Sequence, residues 1–192
     1  MDKMKNIFST VLCILLLLII CVVVQARTAS PKIADFLITN DEEKVLLYAR
    51  LVDGFKSEMK SEILAGVPQD VVLRVKVYEE RPWWIWDKKI NQSEIKRTIR
   101  YDNLIKTFTI TTNGNPDPAV FPDLSSAQSA MADFNGVVVT SIIALKKGKN
   151  YYLKVKIIIE RFRLPLGMEY IFSFVSYWDY ATDWYKQKFI LK

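Results

Sequence analysis

The feature that most constrains how this chain can fold is an apolar alternation with a period of two residues, which recurs along most of its length. Tyr151, Leu153, Val155, Ile157 and Ile159 alternate against Lys154, Lys156 and Glu160. Val71, Leu73, Val75 and Val77 alternate against Arg74 and Lys76, and Val45, Leu47, Ala49 and Leu51 make a third series. Neighbouring side chains of an extended strand point to opposite faces, so each run describes a strand with one dry and one wet face, the pattern of antiparallel sheet.

Two stretches carry helical spacing instead. Val52, Phe55, Met59 and Ile63 fall on one stripe ahead of Gly66, and Leu124, Ala127, Met131 and Phe134 on another ahead of Gly136. Asp53 and Asp123 are the expected N-caps, and the two glycines are expected to close the helices in the left-handed conformation. The predicted order is ββαββαβββ: an α+β fold with a largely antiparallel sheet of about seven strands and two amphipathic helices, in a single globular domain over residues 31–192. "KKGKN", Lys146 to Asn150, is expected to be a hairpin turn between "GVVVTSIIAL" and "YYLKVKIIIE". "TNGNPDPAVFPD", ending at Asp123 and holding three prolines, reads as a surface loop.

The first 26 residues differ in kind. Lys3 and Lys5 precede Ile7 to Val24, which hold the uninterrupted apolar run "VLCILLLLIICVVV", followed by "QARTASP". This is a signal peptide or a membrane anchor, its length falling between the two; Val24-Gln25-Ala26 suits cleavage after Ala26, while an uncleaved anchor would leave the same domain tethered. Either way the body is expected to cross the inner membrane, to be periplasmic or anchored facing the periplasm.

Both cysteines, Cys13 and Cys21, lie in that segment, and the chain has no histidine. The body therefore cannot form a disulfide, a His-based triad, a thiol nucleophile or a Cys/His metal site. Its glycines are scattered singly and offer no phosphate-cradling loop, so no cofactor is expected. Enzymatic readings reduce to a Ser-Lys arrangement, a hard cation held by oxygen ligands, or a carboxylate pair drawn from Asp87, Asp117, Asp123, Asp179 and Asp183. Asn91-Gln92-Ser93 fits a glycosylation triplet. Residues 27–192 carry 25 basic and 20 acidic residues, a net charge of +5. That balance suits anionic lipid headgroups or acidic partners, and the lysines form no block of the kind that signals nucleic acid.

All five tryptophans fall in two short stretches: Trp83, Trp84 and Trp86 in "RPWWIWDKK", and Trp178 and Trp184 in "SYWDYATDWY". If the strand from Val71 keeps its alternation, Trp83 and Ile85 face the core while Trp84 and Trp86 face water. Pro82 permits a one-residue shift that exchanges the faces. In either register adjacent Trp83 and Trp84 part, so one sheet face cannot bury all three. Cross-strand aromatic packing, a platform for a partner, apolar ligand or glycan, and a belt at the bilayer surface are the competing explanations, with the five tryptophans as the candidate interaction surface.

The runs "IADFLI", "LVDGFKSEM", "ILAGVP", "ERPWWIWDKKI", "IRYDNLIKTFTI", "YYLKVKI" and "SYWDYATDWY" together resemble the bacterial domain of unknown function 4390. The most recognisable pieces correspond to Trp86 and Asp87 and to Tyr101, Asp102 and Leu104, while Pro82 and Ile85 depart from the family's run. The resemblance implies a bacterial envelope protein, without an established activity, accessory to an envelope signalling system. The expected role is non-catalytic binding or scaffolding, through an envelope protein partner or the membrane surface. A carrier of an apolar, lipid-like ligand held between helices and sheet is the alternative, and a carboxylate-based hydrolase the third.

Overall fold

The computed structural model describes residues 30–161 and 180–191, which form two packed sheets and two short helices. The apolar N-terminal segment, Trp178 and Asp179 lie outside the described residues. In chain order the elements are β1 (Lys32–Asn40), β2 (Lys44–Val52), α1 (Ser57–Leu64), β3 (Gln69–Glu79), β4 (Lys88–Asp102), β5 (Thr107–Thr112), β6 (Asn115–Phe121), α2 (Leu124–Ala132), β7 (Asp133–Ser141), β8 (Asn150–Arg161), β9 (Tyr180–Ala181) and β10 (Tyr185–Ile190).

A seven-stranded antiparallel sheet runs β10-β8-β3-β4-β5-β6, with β9 also on β8, and a three-stranded sheet runs β1-β2-β7. The alternating runs meet as the sequence requires. Leu47 and Phe134 of the smaller sheet join Leu73, Leu153 and Ile157 of the larger one in a single core, all fully buried. Met59 and Ile63 of α1 and Ala127 and Met131 of α2 close it. The mostly antiparallel α+β architecture with two helices follows from patterning alone.

Local departures from the expected elements each have a physical cause. "NPDPAVF" is not a loop: it forms β6, the outer strand of a hairpin with β5, turning through Gly114 at φ +79°. Pro116 and Pro118 cannot donate to a ladder, and β6 is a sheet edge where no ladder is needed on its free side. "KKGKN" is not a hairpin turn either. β7 pairs with β2, and a short 3-10 turn at Ile142–Ala144 carries the chain across to β8 in the other sheet. The Lys146 amide donates to the Tyr151 hydroxyl at 2.7 Å to fix that crossing.

Asp123 caps α2, accepting from the Ser126 amide at 2.9 Å. Asp53 does not cap α1: it lies in a turn at φ +57°, and the helix starts four residues later behind Lys56. Gly66, at φ +86°, ends α1 as expected, with its amide donating to the Ile63 carbonyl at 2.9 Å. Gly136, at φ +65°, does not end α2, which runs directly into β7. It sits where the β2–β7 register slips between Leu47 and Ala49, so its left-handed conformation serves a bulge.

The strand directions fix two ends. Val139 accepts from the Asn91 side chain at 2.6 Å, and the Asp133 carbonyl accepts from Arg97 at 2.7 Å. The end of β7, the β1–β2 turn and the loop between β3 and β4 therefore share one end. The start of β1, α1 and the β4–β5 turn share the other, as the approach of Gly66 to Asn103 shows.

Candidate functional site

The β3 strand does not continue through the tryptophans. Its ladder with β4 ends at Glu79, paired with Lys88, and Arg81 to Asp87 form the connecting loop. Pro82 accounts for the stop, since it lacks the amide that a further ladder bond would need. The expectation that Trp83 and Ile85 face the core is thus overturned, while Trp84 and Trp86 do face water, though from a loop and not from a strand. All four lie at the hairpin tip in solvent, with Trp83 96%, Trp84 68%, Ile85 89% and Trp86 75% exposed.

This loop is tied down at its base. The Trp84 amide donates to the Arg81 carbonyl at 3.0 Å, closing a turn around Pro82 and Trp83. Asp87 then clasps both sides: Oδ1 accepts from the Arg81 amide at 3.0 Å, and Oδ2 accepts from the Tyr152 hydroxyl at 2.7 Å. The Glu80 amide donates to the Asn150 carbonyl at 2.9 Å and holds the hairpin to β8. The bond from the Arg81 amide, then that from Tyr152, holds the Asp87 carboxyl below its ordinary range. Burial, followed by the bond to Asp87, pushes the Tyr152 phenol up.

Because Tyr152 lies on the face of β8 away from the core, the clasp bends the loop toward the outer face of the large sheet. That face is basic and aromatic. Tyr78 and Tyr152 stack at 5.1 Å; the Lys186 ammonium sits 3.8 Å from the Tyr152 ring centre; Lys76 lies 4.9 Å from the Trp184 ring. The registers place Lys76, Lys154 and Lys186 in one row across β3, β8 and β10, with Lys156 next along β8. Among the described residues no carboxylate forms an ion pair with these four lysines.

Trp184, 41% exposed, lies on this same face and not against the hairpin tip. The two tryptophan clusters do not meet through their described members. The family-model match covers residues 28–188 and is to the domain of unknown function DUF4390. The chain belongs to this family. No curated protein and no solved structure matches it.

In this DUF4390 domain the two most recognisable pieces of the resemblance fall at opposite ends of β4, at its two hairpin turns. Asp87 is the clasp just described. Asp102 folds the β4–β5 turn, accepting from the Leu104 amide at 2.8 Å and the Ile105 amide at 3.2 Å, while Tyr101 packs on Phe108 at 4.6 Å. Both acidic residues organise turns.

The candidate catalytic carboxylates are dispersed. Asp87 holds the tip, Asp117 is exposed on the β6 edge, Asp123 caps α2, and Asp183 is exposed ahead of β10. Among the described residues no three acidic side chains gather to hold a metal ion. Asn91 spends its amide nitrogen on the Val139 carbonyl, which leaves it poorly placed as a glycan acceptor. Among the described residues, too, no helix is long and apolar enough to cross a membrane.

Sequence reasoning missed two parts of the site. Arg74 with Lys76, Lys154 with Lys156, and Lys186 with Lys188 each show period-two basic residues, but only the strand order β10-β8-β3 puts them on one surface. Ile143, 94% exposed on the 3-10 turn, joins the tryptophan end because the chain crosses there from β7 to the other sheet. No local signal marks it.

Proposed function

We propose that this chain is an exported, non-catalytic binding domain of the bacterial envelope, with the β3–β4 hairpin as its contact element. The observation that carries the reading is the exposure of Trp83, Trp84, Ile85 and Trp86 on a loop whose base is fixed by Asp87. A tied-down tip presents these side chains without the ordering cost that a floppy loop would add on binding. Exposed tryptophans clustered in this way are the residues that carry interface energy once covered. Export to the envelope rests on the apolar run within Ile7 to Val24 behind Lys3 and Lys5, and the absence of histidine and of cysteine beyond Cys21 supports a role without catalysis.

The test is a photo-crosslinking side chain placed at Trp84 in the full-length protein in its native membranes, with the exposed Asp117 position on β6 as control. Adducts to a protein or to lipid from position 84, and not from 117, are expected. Absence of adducts from 84, in protein that retains its circular dichroism, would contradict the proposal.

A further inference from the structure

We infer that the partner of the hairpin is an anionic lipid bilayer, and that the domain lies along it with the outer face of β10-β8-β3 toward the headgroups; this rests on the hairpin being a contact element. Trp83, Trp84, Ile85 and Trp86 are consecutive, starting within a turn led by Pro82, and side chains on a hairpin tip radiate to several sides. A rigid protein surface covers one side of such a tip, whereas a fluid interface closes around all of it. Indoles prefer that interfacial depth, with an apolar ring system and a polar N–H.

Charge complementarity selects the lipid. Arg81, Lys88 and Lys89 flank the tip in sequence. The clasp from Asp87 to Tyr152 turns the loop toward the face that bears Lys76, Lys154 and Lys186. Of the carboxylates that reach this face, Glu80 is held by Lys188 at 2.8 Å, Glu94 by Arg74 at 2.9 Å and Asp70 by Lys96 at 2.6 Å; Glu160 and the clasping Asp87 remain, outnumbered by Lys76, Lys154, Lys156 and Lys186. Juxtamembrane lysines of this kind each strengthen attachment to an anionic surface by about fivefold.

The chain's own geometry sets the orientation. β1 begins at the end opposite the tryptophans, and its nine residues separate the two ends by roughly 30 Å. If the apolar N-terminal segment holds the chain in the bilayer, a domain lying flat brings both its attachment point and the hairpin to the same membrane. Lying flat puts a broad face against lipid, and the face whose lysines make no ion pair among the described residues suits anionic headgroups.

The full-length chain is reconstituted into vesicles of phosphatidylethanolamine with phosphatidylglycerol, and separately of phosphatidylcholine alone, each with brominated acyl chains that quench nearby indoles. The tip's emission is the difference between the wild type and a Trp83→Phe, Trp84→Phe, Trp86→Phe variant whose fold is checked by circular dichroism. The tip should be quenched strongly in the anionic vesicles and at least about fivefold less in the zwitterionic ones. Lys154→Gln with Lys186→Gln should remove most of that difference. A tip that is unquenched in anionic vesicles, or quenched equally in both, overturns the inference. If it is unquenched while position 84 still crosslinks to a protein, the binding reading stands and the lipid one falls; with neither signal both fall.

Discussion

Asp87 shows how one side chain can fix a loop without touching what the loop presents. Its two oxygens join the Arg81 amide to the Tyr152 hydroxyl, and so join a hairpin tip to the neighbouring strand. In Asp87→Ala the Arg81 amide loses its acceptor, and its hydrogen exchange should accelerate by about fivefold, the worth of a typical net hydrogen bond. The acid behaviour has a defined sign. Because the folded carboxyl titrates below its ordinary value, its contribution is complete above about pH 4 and is lost as pH falls through the lowered value. Protection of the Arg81 amide, taken relative to its intrinsic exchange rate at each pH, should fall in that acid window in the wild type and be flat across it in the variant. Arg97 is a second case. Its half-buried guanidinium donates to the carbonyls of Ala130 at 2.6 Å and Asp133 at 2.7 Å at the end of α2, and lies 4.4 Å from the Phe134 ring. Arg97→Met keeps the stem and leaves those carbonyls without their donor, so thermal unfolding should show a loss of roughly 2 kcal/mol.

At the level of elements, β6 and the two glycine turns are where local chemistry and fold meet. Pro116 and Pro118 blunt the free edge of the large sheet. Replacing both with threonine restores two donors to that edge, and light scattering on warming should report earlier association than in the wild type. Gly66 and Gly136 both hold positive φ, and a Cβ at Gly66 would also come within 3.2 Å of Asn103 Nδ2. Gly66→Ala and Gly136→Ala should each cost about 1 kcal/mol or more, with Gly66→Ala the worse, as measured by chemical denaturation. The alternating strands could be read from sequence because period two survives wherever one face is buried. β6 could not, since it is exposed on nearly every residue and carries no alternation. The end of α2 was misplaced for a related reason: Gly136 looks like a helix stop, yet a bulge needs the same backbone conformation.

For the whole molecule, the core is continuous between the two sheets. Leu73, fully buried at its centre, should cost roughly 3 kcal/mol on truncation to alanine, read from the unfolding midpoint. Trp83, Trp84 and Trp86 sit outside that core, so their joint replacement by serine should leave the midpoint essentially unmoved. Parity along β3 already shows that one sheet face cannot hold all three indoles, and the physical resolution is that none is on a sheet face. The basic surface beside them belongs to this scale alone, because it exists only once β10, β8 and β3 are neighbours. The most direct test of the hairpin as a contact element is oxidative footprinting of the full-length protein, read tryptophan by tryptophan, in native membranes and again in detergent. Trp83, Trp84 and Trp86 should react freely in detergent and be protected in the membrane. Equal reactivity in both would mean that nothing covers the tip, and would contradict its role.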